Sequence, residues 1–288
     1  MGAVVITGGT DGIGRALATV YLRRGHDVLV VGRSTRKGQE FITAATDLGA
    51  GDRAHYVTAD LSRIGENQRL IQAVTTAFPV VDVLVLGARY HRSTRTVTSD
   101  GFETNFALFY LSRFLLSHGL VDPLNRAENP VILNFGGAGQ TGPVRWDDLQ
   151  LEHRYHGVDA MGHSARLNDL LGVSFTTIHE DSPIRYVLNH PGVVVTSFAG
   201  EYDAVTAAQV AHLKQVGKTV ADSVAQILPY LDPPGTGRLT AVLEGVRVPL
   251  EPSIFDHGAA ARLHEVTERL LVKPRDQLEF IGRTAHPA

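Results

Sequence analysis

Short apolar runs alternate with longer amphipathic stretches through most of this chain. Ala3–Ile6, Asp27–Val31, Ala54–Val57, Val81–Leu86, Val131–Phe135, Ile184–Leu188 and Leu239–Val242 are brief, mostly Val, Ile and Leu, and predict strands. Between them, Gly12–Arg24, Arg36–Leu48, Gly65–Phe78, Gly101–Leu120, Asp159–Thr177 and Val220–Leu231 carry apolar residues at helical spacing. Near-continuous apolar strands separated by helices imply a parallel sheet covered on both faces, joined by right-handed crossovers. The expected fold is therefore α/β: a doubly wound parallel sheet of about seven strands with helices on both faces. No repeat or low-complexity linker divides the chain. Pro233-Pro234-Gly235 reads as a loop, so residues 1–288 are expected to form a single domain. Residues 198–217 break the alternation and predict a lid.

In such sheets ligands sit outside the carboxyl ends of the strands, which directs attention to the residues just after each apolar run. The first run is followed at once by Thr7-Gly8-Gly9-Thr10-Asp11-Gly12-Ile13-Gly14 and then a helix. Glycines at 8, 12 and 14 permit a tight turn and a close backbone approach to a pyrophosphate. The following helix offers free N–H groups and the positive end of its dipole. This is a Rossmann-type dinucleotide site, with Gly8, Thr10, Asp11, Gly12, Ile13, Gly14 and Arg15 as candidate contacts. The second strand ends Val31-Gly32-Arg33-Ser34, where a protein selecting NAD places an acidic residue. Arg33 suits a ribose 2′-phosphate instead, so NADP(H) is the expected cofactor, with Ser34 beside it. Asp60-Leu61 follows the third strand. Asp60 can face the adenine amino group or serve as an N-cap.

Composition narrows the picture. The chain has 288 residues, 43% of them hydrophobic, and a formal charge of -3, which gives no electrostatic footprint for nucleic acid. It has no cysteine, which removes disulfides, thiolate nucleophiles and zinc-thiolate sites. No apolar stretch approaches the roughly 20 residues needed to cross a bilayer. The first strand starts at residue 3 and leaves no room for a signal peptide, so a cytoplasmic protein is expected. Scarce lysine beside abundant arginine and alanine suggests a GC-rich bacterial genome. His153 and His156 have metal-like spacing but no third ligand nearby, so no metal is expected.

Thr7–Gly14, Asp60-Leu61, Asp100-Gly101-Phe102-Glu103 and His190-Pro191-Gly192-Val193-Val194-Val195-Thr196 resemble the short-chain dehydrogenase/reductase family. The similarity is greatest to its retinol-dehydrogenase-like subgroup. Gly235–Thr240 and Ala261–Val266 resemble that subgroup's carboxyl-terminal pattern, so the likeness runs along almost the whole chain. It implies a mainly cofactor-binding half over 1–135 and a mainly substrate-binding half over 136–288. It adds Gly87, Ala88, Pro191, Gly192, Val194 and Thr196 as cofactor contacts, and it implies a homodimer paired through the helices that contain Phe109 and Met161.

The same resemblance implies a catalytic Asn-Ser-Tyr-Lys tetrad, in which tyrosine transfers a proton and lysine lowers its pKa. Here Phe109, Gly137, Met161 and Ala165 stand at those positions, and none of them titrates. Substitute candidates are Arg89, Tyr90 and His91, which follow the fourth strand. Tyr110 and Arg113 are more remote, and Tyr202 and Tyr230 have the lid as their route to the cleft. His163 lies two residues from Met161, on another face of the helix. His190 reads as part of the His-Pro-Gly turn. Three functions follow. The first is an atypical NADP(H)-dependent oxidoreductase of bacterial secondary metabolism that acts on an apolar small molecule. The second is a non-redox cyclase, isomerase or dehydratase on the same fold. The third is an NADP(H)-binding pseudoenzyme.

Overall fold

The computed structural model describes residues 2–232 and 237–272; the Pro233-Pro234-Gly235 loop and the start of the Gly235–Thr240 pattern lie outside them. The chain runs β1 (Ala3–Thr7), α1 (Gly12–Arg23), β2 (Asp27–Gly32), α2 (Thr35–Asp47), β3 (Ala54–Thr58), α3 (Ile64–Ala77), β4 (Val81–Leu86) and β5 (His91–Arg92). Next come α4 (Thr104–Phe106), a π-helical turn (Ala107–Leu111), α5 (Ser112–Gly119), α6 (Val121–Asn125) and β6 (Val131–Phe135). The remainder is α7 (Gly157–Ile178), β7 (Arg185–His190), β8 (Gly200–Glu201), α8 (Ala204–Val216), α9 (Val220–Leu231), β9 (Leu239–Leu243), β10 (Val246–Val248) and α10 (His257–Val272).

The main sheet has eight strands in the order β10-β9-β7-β6-β4-β1-β2-β3, parallel except for β10. The order reverses between β1 and β4, which is where a doubly wound sheet opens its ligand crevice. Alternate strand residues feed two cores. Val5, Leu29, Leu84, Ile132 and Leu188 pack with residues of α3, α5, α7 and α10 on one face. Val4, Ile6, Val28, Val30, Val85 and Leu133 pack with α1, α2 and α9 on the other. Seven of the eight strands are those the apolar runs predict. The eighth, β10, is a three-residue edge strand returned by the Glu244-Gly245 turn, where both residues have positive φ (51° and 85°). That is the geometry of a two-residue hairpin.

Two further features position the site. The helix expected over 101–120 begins only at Thr104, because Glu103 caps it by accepting from Asn105 N and Phe106 N. Its π-helical turn, centred on Phe109, breaks the regular bonding, and Asn168 Nδ2 donates to Phe109 O at 2.7 Å. The segment expected as a lid is tied down at one end. β8 pairs in parallel with β5, and α8 follows.

Candidate active site

A cleft of about 650 Å³ opens at the carboxyl edge of the sheet. One end is the β1–α1 turn. Gly8 has φ +69°, and a Cβ on Gly14 would stand 2.6 Å from Gly8 O, so both positions require glycine. A Cβ on Gly12 would meet Thr196 Cγ2 at 2.7 Å, which brings the β7 turn against the start of α1. Asp11 is the N-cap of α1 and accepts from Gly12 N at 2.7 Å. It also pairs with Lys37 Nζ at 2.6 Å. Burial works to raise the Asp11 pKa, but hydrogen bonds from Lys37 and Ser197 outweigh it and hold the carboxyl below its ordinary value.

Beside this turn, Arg33, Ser34 and Lys37 line the cleft. The Tyr56 hydroxyl donates to Gly32 O and Ser34 O, both at 2.9 Å, and fixes the loop that carries Arg33. The Arg33 guanidinium lies 4.3 Å from the centre of the Tyr90 ring, and Arg92 stacks on the same ring at 5.1 Å. Lys37 stands in the first turn of α2, and Arg33 in the loop just before that helix.

The opposite end is apolar. Leu108, Phe109, Val158, Met161 and Ala165 line it, with Phe198 and Tyr202 contributed by the segment around β8. Met161 and Ala165 share a face of α7, one turn apart. His163 faces elsewhere: its Nε2 accepts from Arg145 N at 3.1 Å, and burial lowers its pKa to about 4.

Beneath this wall lies a polar layer. Arg113 is almost fully buried against the Phe109 ring at 4.0 Å and donates to Asn134 Oδ1 at 2.7 Å and to Phe135 O. Burial pushes its pKa down to about 9, which leaves it charged at neutral pH. Asn134 Nδ2 donates in turn to Asn168 Oδ1 and to the Tyr186 hydroxyl, both at 2.9 Å. Asp169, also on α7, accepts from Ala138 N at 2.6 Å, Gly139 N at 3.2 Å and Gln140 N at 2.7 Å. Burial raises its pKa to about 6 despite those donors.

The structure thus brings Gly8, Thr10, Asp11, Gly12, Ile13, Gly14, Arg33, Ser34, Leu61, Gly87, Ala88, Pro191, Gly192 and Thr196 to one cleft. Arg15, Asp60 and Val194 are not among its lining residues. Asp60 accepts from Ser62 N at 3.1 Å and from Ser62 Oγ at 2.8 Å, a local turn-capping role. Val194 is buried and bridges to Lys218. Of the substitute candidates, Arg89 opens into the cleft and Tyr90 lines it near Arg33, its hydroxyl donating to Glu201 at 3.3 Å. His91 is buried behind, stacked on Tyr202 at 5.0 Å with its Nε2 3.2 Å from Ser93 Oγ. Gly136 is in the wall, and Gly137 turns toward Asp169. The Tyr110 hydroxyl is bonded to Thr267 in the core, and Tyr230 donates to Gly245 O, away from the cleft. His190 Nδ1 accepts from Gly192 N at 3.1 Å and holds the Pro191-Gly192 turn. Residues that the sequence does not announce are Lys37, Gln140 and Ser197, while Phe198 belongs to the segment expected as a lid.

A glycine cradle at the topological switch of a parallel sheet defines a dinucleotide-type α/β protein. The family model for short chain dehydrogenase matches residues 2–145, half of the chain, and the protein belongs to that family. Retinol dehydrogenase 12 from Mus musculus is 29% identical over 197 residues, 67% of this chain and 61% of the mouse protein. The chain spans about three fifths of the length of such curated relatives. Among solved structures, a short-chain dehydrogenase from Sphingobium yanoikuyae in complex with NADPH matches with a TM-score of 0.65 at 18% identity, covering 100% of this chain and 99% of that one. One from Burkholderia cenocepacia in complex with NADP matches at 0.66 and 21% identity, covering 85% and 96%. These likenesses are of fold. Among the described residues, no helix is long and apolar enough to cross a membrane.

Proposed function

We propose that this protein is an NADP(H)-dependent oxidoreductase with an atypical active site, acting on a small and largely apolar molecule. One observation carries the reading. The glycine cradle, the Arg33–Lys37 end and the apolar wall of Phe109, Met161 and Ala165 follow one another along a single cleft. The cradle fits a dinucleotide because a Cβ at Gly8 or Gly14 would collide with backbone that has to stay close. The N–H groups at the start of α1 hold the pyrophosphate, and Arg33 and Lys37 hold the 2′-phosphate. When bound, NADP(H) supplies or accepts the hydride.

On the family register, Phe109, Gly137, Met161 and Ala165 replace the Asn, Ser, Tyr and Lys of the tetrad. Phe109 and Met161 exclude water and hold an apolar substrate against the cofactor face. None of the four moves a proton. Loss of a matched general acid costs a factor of about 10²–10⁴. Substrates whose reduction builds no full oxyanion, such as an iminium or a conjugated double bond, suffer least. Arg89, His190 and Tyr202 are titratable side chains in the cleft lining, and Tyr202 already donates to Phe198 O at 2.6 Å.

The apolar wall also favours a second reading, in which the fold performs a cyclisation, isomerisation or dehydration and the nucleotide is structural. The deciding experiment is a screen of aldehydes, ketones, iminium ions and conjugated enones, followed by nicotinamide absorbance, with nucleotide-stripped protein as control. Stereospecific NADPH oxidation supports the redox reading. Turnover unchanged after complete removal of nucleotide overturns it in favour of the second. Sedimentation analysis reads the proposed homodimer.

A further inference from the structure

Arg89 follows β4 directly, at the floor of the cleft between its two ends. The backbone that leads into it is held in place. Gly87 N and Ala88 N donate to Thr7 Oγ1 at 3.0 and 3.2 Å, and Arg113 approaches Ala88 O at 3.5 Å. The side chain is exposed to the cavity, and desolvation by the surrounding walls lowers its pKa. Among the described residues no carboxylate pairs with it. Its charge acts on Tyr202, His91, His190 and Arg113, none of which is a carboxylate. The cleft's one acidic lining residue, Asp11, is already bound to Lys37 and Gly12 N.

A guanidinium that faces a cleft without a carboxylate partner has its donors available to an anion. The phosphates of the proposed nucleotide have their own partners in the start of α1, Arg33 and Lys37. Arg89 is not one of these partners; it lines the same cleft as the aromatic and apolar groups Phe109, Met161, Phe198 and Tyr202, and its charge acts on Tyr202. A planar fork of N–H donors in such surroundings matches a carboxylate or sulfonate on an apolar body.

We propose that Arg89 is the specificity residue for an amphipathic, acid-bearing substrate, whose anionic group it binds while the apolar wall takes the remainder. This inference rests on the oxidoreductase reading for its reaction and on the cleft alone for its ligand class. The test uses two dyes with the same rings, 8-anilinonaphthalene-1-sulfonate and its uncharged analogue N-phenyl-1-naphthylamine. Both are titrated by fluorescence into NADPH-saturated wild type, Arg89→Met and Arg89→Lys. The expected result is a loss of roughly tenfold or more in sulfonate affinity for Arg89→Met, with partial retention in Arg89→Lys. The uncharged dye should change less than about twofold, since the methionine keeps the apolar contact. Equal losses for both dyes, or no loss for the sulfonate, overturn the proposal. NADPH titration of the same proteins separates the two claims. Weaker NADPH binding in Arg89→Met with an unchanged dye ratio assigns Arg89 to the nucleotide and overturns the proposal. Absence of NADPH binding to wild type sinks the oxidoreductase reading, and the dye comparison on that protein still decides the role of Arg89.

Discussion

A side chain at Gly137 should be barely tolerated, and the structure says by how much. Gly137 has φ +80°, in a run with Ala138 at +78° and Gly139 at +92°. A Cβ there costs about 1–2 kcal/mol from backbone conformation alone. It would also overlap Asp169 Oδ1, stand 2.8 Å from Asp169 Cγ and lie 3.0 Å from Ala165 O. Asp169 would have to withdraw, and it holds the N–H groups of Ala138, Gly139 and Gln140. Losing two such charge-assisted bonds costs about 3 kcal/mol. Gly137→Ala should therefore destabilise by about 4–5 kcal/mol, a large part of the 5–15 kcal/mol of a typical domain. Urea unfolding followed at the single tryptophan, Trp146, measures it. In an Asp169→Ala background the overlap is gone, and the same substitution should cost only the backbone strain of about 1–2 kcal/mol. A cost below about 1 kcal/mol, or an equal cost in both backgrounds, would refute the reasoning. If Gly137 stands at the tetrad's serine position, as proposed, a serine there cannot be introduced without rebuilding this loop.

Two further outcomes follow from the polar layer. A pKa moved from 3.8 to about 6 means that native Asp169 binds more protons than the unfolded chain between those values. Its contribution is complete below about pH 4 and is lost as pH rises through 6, by about 3 kcal/mol. Relative to Asp169→Asn, the wild type should thus be favoured at pH 4 and lose that advantage by pH 7.5 in paired unfolding curves; a pH-independent difference would contradict the assignment. Asn168→Leu removes the donor to Phe109 O in the π-helical turn and the acceptor for Asn134, and should destabilise by about 2–4 kcal/mol. A cost near zero would show that the turn needs no support from α7.

The parallel sheet was legible because its strands are short, nearly unbroken runs of apolar residues, and the glycine turn because only glycine fits there. β10 was not, since Val246-Arg247-Val248 is too short and too exposed to carry a pattern. The π-helical turn was hidden for the opposite reason: Ala107 to Leu111 are all buried, so the apolar pattern has no phase to disturb. Arg113 reads only as a remote candidate and Asp169 carries no signal in the sequence, yet both are buried, with partners in Asn134 and in the 138–140 loop. Arg15 and Asp60 illustrate the converse. Their positions beside the right turns suggest contact, but Arg15 is not among the cleft's lining residues and Asp60 is engaged by Ser62.

The central claim is that this cleft holds NADP(H), with Arg33 selecting the phosphate. Calorimetric titration of nucleotide-free protein with NADPH, and with NADH as control, tests it most directly, on the wild type and on Arg33→Asp. The account predicts micromolar NADPH binding, weaker NADH binding and loss of that preference in Arg33→Asp. No detectable NADPH binding, or a preference that Arg33→Asp leaves intact, would contradict it.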